Sequence, residues 1–202
     1  MPEASGARRD PRDVAYGRAI ESVSTVAAPL LAGGAVAMLG VVAADDDRFR
    51  WPGPATLFLT LAAVALVACV QWGFRARTFL YVFEEGSPEA DDDPSLPVAA
   101  RAFLARRRET DLARWRRGTA LAALCYNLGL VAIGTGVSLA AAPPADAVQA
   151  GWRWAAFWVM SLATVAELLW VVLEWGDAAA RAATRRRWLR RAGVTSGEGR
   201  GQ

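Results

Sequence analysis

The sequence predicts an all-α integral membrane protein, an antiparallel bundle of four transmembrane helices with basic juxtamembrane helices. Three observations carry that expectation. Hydrophobic residues make up 54% of the 202-residue chain and the mean hydropathy is +0.20, too apolar for a typical soluble domain of this size. The apolar residues are gathered in four blocks, each able to supply the about 20 helical residues that cross roughly 30 Å of hydrocarbon. Finally, arginines crowd the segments on one side of those blocks.

Read from the N-terminus, residues 1–23 form a cytoplasmic segment, and 24–74 hold the first two helices, about Ser24 to Ala44 and Pro54 to Phe74. Residues 75–117 combine an acidic linker with a basic helix. Residues 118–175 hold the third and fourth helices, about Gly118 to Leu139 and Trp154 to Trp175, and 176–202 form a basic tail. The connections "DDDRFRWPG" and "AAPPADAVQAGWR" are short, and Pro52, Pro54, Pro143 and Pro144 mark them as turns. "VVAADDD" places Val42 and Ala44 where a signal peptidase would recognise them. The apolar run before it is about 20 residues, beyond the 7–15 of a signal sequence's apolar core. Cleavage would also leave three spans and set one end against the charge distribution, so the block is read as a retained helix.

All 23 basic residues are arginine; lysine and histidine are absent. Without imidazole there is no histidine general base or metal ligand, and without lysine no Schiff-base amine or P-loop lysine. Ser161 has neither to activate it, and no nucleophile–base pair or metal constellation is visible. The chain is therefore read as non-enzymatic, with no cofactor and no metal. Four arginines precede the first span, nine lie in 75–117 and seven follow the fourth span. The two short loops hold three, Arg48, Arg50 and Arg153. Basic loops stay on the cytoplasmic side, so both termini and the middle segment are expected there, with the protein multi-pass in the inner (plasma) membrane. Cys69 and Cys125 lie in separate apolar blocks, a spacing that supports neither a zinc site nor a disulfide framework; they read as small buried hydrophobes.

Small residues recur on one face of the first span, Gly33, Ala37, Gly40 and Ala44, and of the second, Ala62, Ala65, Cys69 and Gly73. Close backbone approach through small residues is the usual adhesive between lipid-solvated helices. Both faces are expected to pack the bundle, with Gly129, Gly134 and Gly136 serving the third helix. Trp51, Trp152 and Trp154 fall at the outer boundary and Trp72 and Trp175 at the inner one, as amphipathic rings prefer.

Two glutamates interrupt "SLATVAELLWVVLEWG". Glu174, at the cytoplasmic end, is expected to pair with Arg75, Arg77 or Arg117 on neighbouring helix ends. Glu167 lies about eight residues in from that end, roughly 12 Å deep by helix rise, where an acid costs about 2.5–3.5 kcal/mol. Asn127 is expected at similar depth on the third helix, where a hydrogen bond from its amide would ease the burial. The pair then either locks helix register or marks a proton or cation site.

"RTFLYVFEEGSPEADDDPSLP" opens on an apolar patch, Phe79 to Phe83, that lies at the interface or forms a short strand. It then becomes the acidic, turn-rich composition of a linker. "ARAFLARRRETDLARWRR" and "ARAATRRRWLRR" read as basic helices. Their Arg106, Arg107, Arg108, Arg114 and Arg116, and Arg185, Arg186, Arg187, Arg190 and Arg191, are expected to attract anionic lipid headgroups, at about 1 kcal/mol each near the surface. That position accounts for the charge without nucleic acid. A second copy or a cytoplasmic protein is a possible partner.

"CVQWGFRARTF" at 69–79 and "RWAAFWVMSLATVAELLWVV" at 153–172 resemble segments of small four-span integral membrane proteins of actinobacteria, a family with no assigned activity. The resemblance implies the four-span architecture and carries no catalytic residue. The expected function is that of an assembly or interaction component of the membrane. The alternative is a small channel or transport subunit using Glu167.

Overall fold

A computed structural model describes residues 22–85, 97–145, 148 and 150–191; side chains at 80–85, 108, 177–179, 181–183 and 185–191 lie outside that description. Helix α1, Ala28–Ala44, is entered through one π-helical turn, Val23–Ala27. A 3₁₀ turn, Asp46–Arg48, leads to α2, Pro52–Glu85; then come α3, Val98–Ala141, and α4, Ala150–Arg191. The described residues contain no strand. All four helices are long and apolar enough to cross a membrane.

The helix ends follow from local chemistry. Pro52 and Pro54 sit in the first turn of α2, where a missing N–H breaks no helical bond, and the Ala55 amide donates to the Trp51 carbonyl at 3.1 Å. Pro143 and Pro144 follow the last turn of α3, which they cannot continue. The boundaries expected at 74/75, 117/118 and 175/176 are not backbone breaks. The 34, 44 and 42 residues of α2, α3 and α4 amount to about 51, 66 and 63 Å of helix, well beyond roughly 30 Å of hydrocarbon. The segment from Phe79 is helical, which removes the strand alternative. Extending an existing helix costs far less than nucleating another element.

Seven residues of α2 are buried in steps of four and three: Ala55, Leu59, Ala62, Leu66, Cys69, Gly73 and Ala76. That 3.5-residue period keeps one seam facing its neighbours along a coiled-coil path. On α3 glycines receive it. A Cβ at Gly136 would stand 2.9 Å from Leu59 Cγ, one at Gly129 2.7 Å from Leu66 Cγ, and one at Gly118 3.0 Å from Ala76 Cβ. Each bulky α2 leucine thus lies over an α3 glycine, which permits close helix approach.

Helix α1 lies against α2 through Ala28 and Ala32, clustered with Leu66 and Cys69, and through Val42, clustered with Ala55 and Leu59. Its expected small face is not the packed one. Gly33, Ala37, Gly40 and Ala44 are exposed, and nothing lies within 4 Å of a Cβ built on Gly33 or Gly40. The stripe Ala28, Ala32, Ala35 is equally small and is the one that fits over the α2 seam. Helix α4 takes its contacts from α3. None of its most apolar 18-residue stretch is buried, against 28% for α2 and for α3.

Candidate functional site

A stripe of α4 in steps of three and four, Arg153, Phe157, Met160, Thr164, Glu167 and Val171, is half-buried while the rest of that helix is largely exposed. Glu167 therefore sits on the face α4 turns toward α3. Two contacts join the helices: Arg153 reaches the carbonyls of Ala140, Ala141 and Ala142 at the end of α3, and Thr164 lies over Gly134. Asn127 and Glu167 are both half-buried, and no hydrogen bond joins them. Tyr126, next to Asn127 in the chain, packs against the cluster that holds Cys69.

The neighbouring hydroxyls are engaged elsewhere. Thr135 donates to the Val131 carbonyl at 2.8 Å, Ser138 to Gly134 at 2.7 Å and Thr164 to Met160 at 2.8 Å. Such back-bonding satisfies a hydroxyl within its own helix. Among the described residues, Glu167 consequently has no hydrogen-bond donor.

At the arginine-rich end, Glu174 is exposed and forms no ion pair with Arg75, Arg77 or Arg117 among the described residues. Arg75 lies over the Trp72 ring at 5.7 Å. Arg77 Nη2 donates to Ser24 Oγ at 3.4 Å, and Ser24 is buried against Gly73. Arg106, Arg107, Arg114, Arg116 and Arg117 are exposed along α3. The side chains of Arg108, Arg185, Arg186, Arg187, Arg190 and Arg191 lie outside the described residues, as do the acids Asp91, Asp92 and Asp93.

The opposite end holds what charge counting overlooked. Arg153 donates from Nη2 to the carbonyls of Ala140 (3.3 Å) and Ala142 (3.5 Å) and from Nε to that of Ala141 (3.4 Å). A cation on the last carbonyls of a helix satisfies orphan acceptors and opposes the dipole. The available signal was an arginine in an arginine-poor loop, one short turn after the prolines that end α3. Around it, Trp154 and Trp158 meet Phe157 edge-on at 5.3 and 5.2 Å, while Arg50 lies 5.3 Å from the Trp51 ring and 5.7 Å from that of Trp154. Sequence spacing also concealed a meeting of the cysteines: Cys69 and Cys125 belong to one apolar cluster, and each is free.

Comparison with protein-family models, curated proteins and solved structures finds no match. The functional reading rests on the chain's own geometry.

Proposed function

We propose that the chain is a non-enzymatic, multi-pass component of the plasma membrane that assembles with a second copy or another membrane protein through α4. Its four spans run antiparallel, with both termini and the basic helix extensions in the cytoplasm beside anionic headgroups. The arginine distribution supports that orientation. One observation carries the assembly reading: α4 contributes no buried residue from its apolar stretch, and Trp158, Leu162, Leu169, Trp170 and Leu173 all face outward. A span that contributes this little to its own bundle has its outward face free to meet a neighbour, with lipid as the competing solvent.

Cysteine scanning tests it. In a background lacking Cys69 and Cys125, Leu162→Cys or Leu169→Cys is expected to cross-link complexes in native membranes, while Thr164→Cys, on the face toward α3, is not. A spin label at Leu169→Cys with the oxygen accessibility of a lipid-bathed site would refute the proposal. A second reading, conduction of protons or cations, is favoured by Glu167 lacking a donor within the described chain. Ion flux in liposomes that Glu167→Gln abolishes would establish it; tight wild-type vesicles would exclude it.

A further inference from the structure

Beyond their apolar stretches, α2 and α3 border an open cleft of about 540 Å³. Phe79 of α2 forms part of one wall; Phe103, Arg106, Arg107, Asp111 and Arg114 line the α3 side. Arg114 is held in place, with Nη1 3.5 Å from Asp111 Oδ1 and its guanidinium 5.9 Å from the centre of the Phe79 ring. Asp111 is only 8% exposed and is engaged with Arg114. Arg106 and Arg107 are exposed and have no ion-pair partner among the described residues. Among the described residues, three guanidinium groups therefore meet one carboxylate in the lining of the cleft, between two aromatic side chains.

The planar, multi-donor guanidinium matches the oxygens of phosphate better than any other side chain. We propose that this cleft is a discrete site for a phosphate-bearing anion, gripped by Arg106 and Arg107, with Arg114 pre-positioned by Asp111 and Phe79. Two sources share that chemistry. By helix rise, Arg114 stands about 6 Å beyond Gly118 and Arg106 about 18 Å, so the cleft spans from headgroup height into the aqueous phase. The lipid source rests on the membrane reading above; a soluble phosphate compound does not. A site of fixed stoichiometry also differs from diffuse attraction of basic segments to a charged surface.

The test uses the full chain. Purified in uncharged detergent, it is titrated calorimetrically with inorganic pyrophosphate. In phosphatidylcholine nanodiscs doped with phosphatidic acid, retained anionic lipid is counted by native mass spectrometry. Arg106→Gln/Arg107→Gln is compared with Arg185→Gln/Arg186→Gln, which removes equal charge elsewhere. Saturable one-to-one binding is expected, weakened at least about tenfold by the first pair and unchanged by the second. Phe103→Ala removes a side chain that is 65% exposed, and it is expected to weaken binding without disturbing the fold. Pyrophosphate binding alone identifies a soluble source, and phosphatidic acid retention alone a lipid. Binding of neither probe, or equal loss in both double variants, would overturn the proposal.

Discussion

Glycine-to-alanine substitution is expected to act with opposite sign at Gly129 and at Gly33. At Gly129 the new Cβ would stand 2.7 Å from Leu66 Cγ and 2.8 Å from Cδ2, where carbon–carbon contacts are ordinarily about 3.5–4.0 Å. Roughly 1 Å must be found around a leucine that is fully buried. Overpacking of that kind costs about 1–3 kcal/mol, while alanine regains at most about 1 kcal/mol of helix propensity. The net is a loss of up to about 2 kcal/mol. At Gly33 no atom lies within 4 Å of the added methyl, so the propensity term stands alone as a gain of up to about 1 kcal/mol. The propensity gain is common to both, so the two variants should differ by the overpacking cost, about 1–3 kcal/mol, or about 2–12 °C in Tm for a chain of this length. Intrinsic tryptophan fluorescence during thermal unfolding, in one detergent throughout, measures it. Leu66→Ala should cost less in the Gly129→Ala background than in wild type, a coupling of about 0.5–3 kcal/mol. If Gly33→Ala destabilises as strongly as Gly129→Ala, the assignment of the packed face of α1 is wrong.

Two further outcomes follow from the same coordinates. Arg153→Met removes three hydrogen bonds to the end of α3, each long at 3.3–3.5 Å. The expected loss is about 1–2 kcal/mol and about 2–8 °C in Tm, and Arg153→Lys should recover only part because it keeps the charge without the fork; a Tm unchanged in Arg153→Met would deny the cap. Cys69 and Cys125 belong to one cluster between α2 and α3, which brings both thiols to the same seam. Copper–phenanthroline oxidation should protect both from maleimide after denaturation, with no dimer formed. Continued alkylation of both would place the α2–α3 register elsewhere.

The four helices were legible because hydrophobic blocks of spanning length leave few alternatives. The packed face of α1 was not. Gly33, Ala37 and Gly40 share one spacing, and Ala28, Ala32 and Ala35 repeat it with residues nearly as small. Size alone cannot choose between two such stripes; the choice depends on what α2 presents, and Leu66, Cys69 and Gly73 accept the alanine stripe and Ser24. The continuity of α2, α3 and α4 past their apolar blocks was half-visible. Hydropathy falls at each block's end, but Ala, Arg, Leu and Glu continue, and these are strong helix formers. Hydropathy reports the solvent a helix crosses, whereas propensity reports whether it goes on.

Glu167 could be found from the cost of its position, but its surroundings could not. Depth counted from the span ends put Asn127 level with it, and in the structure both are half-buried with no hydrogen bond between them. Whether two side chains meet depends on helix rotation and rotamer as well as on depth, and counting along the chain reports depth alone. The consequence is energetic. Thr135, Ser138 and Thr164 already donate to their own helices, and the carboxylate has no hydrogen-bond donor among the described residues. An acid in hydrocarbon at about 2.5–3.5 kcal/mol then calls for stabilisation from a proton, a cation or a neighbouring protein. The outward surface of α4, on the same helix, is where a neighbour would be met, and this is why the assembly and ion-site readings meet on one element.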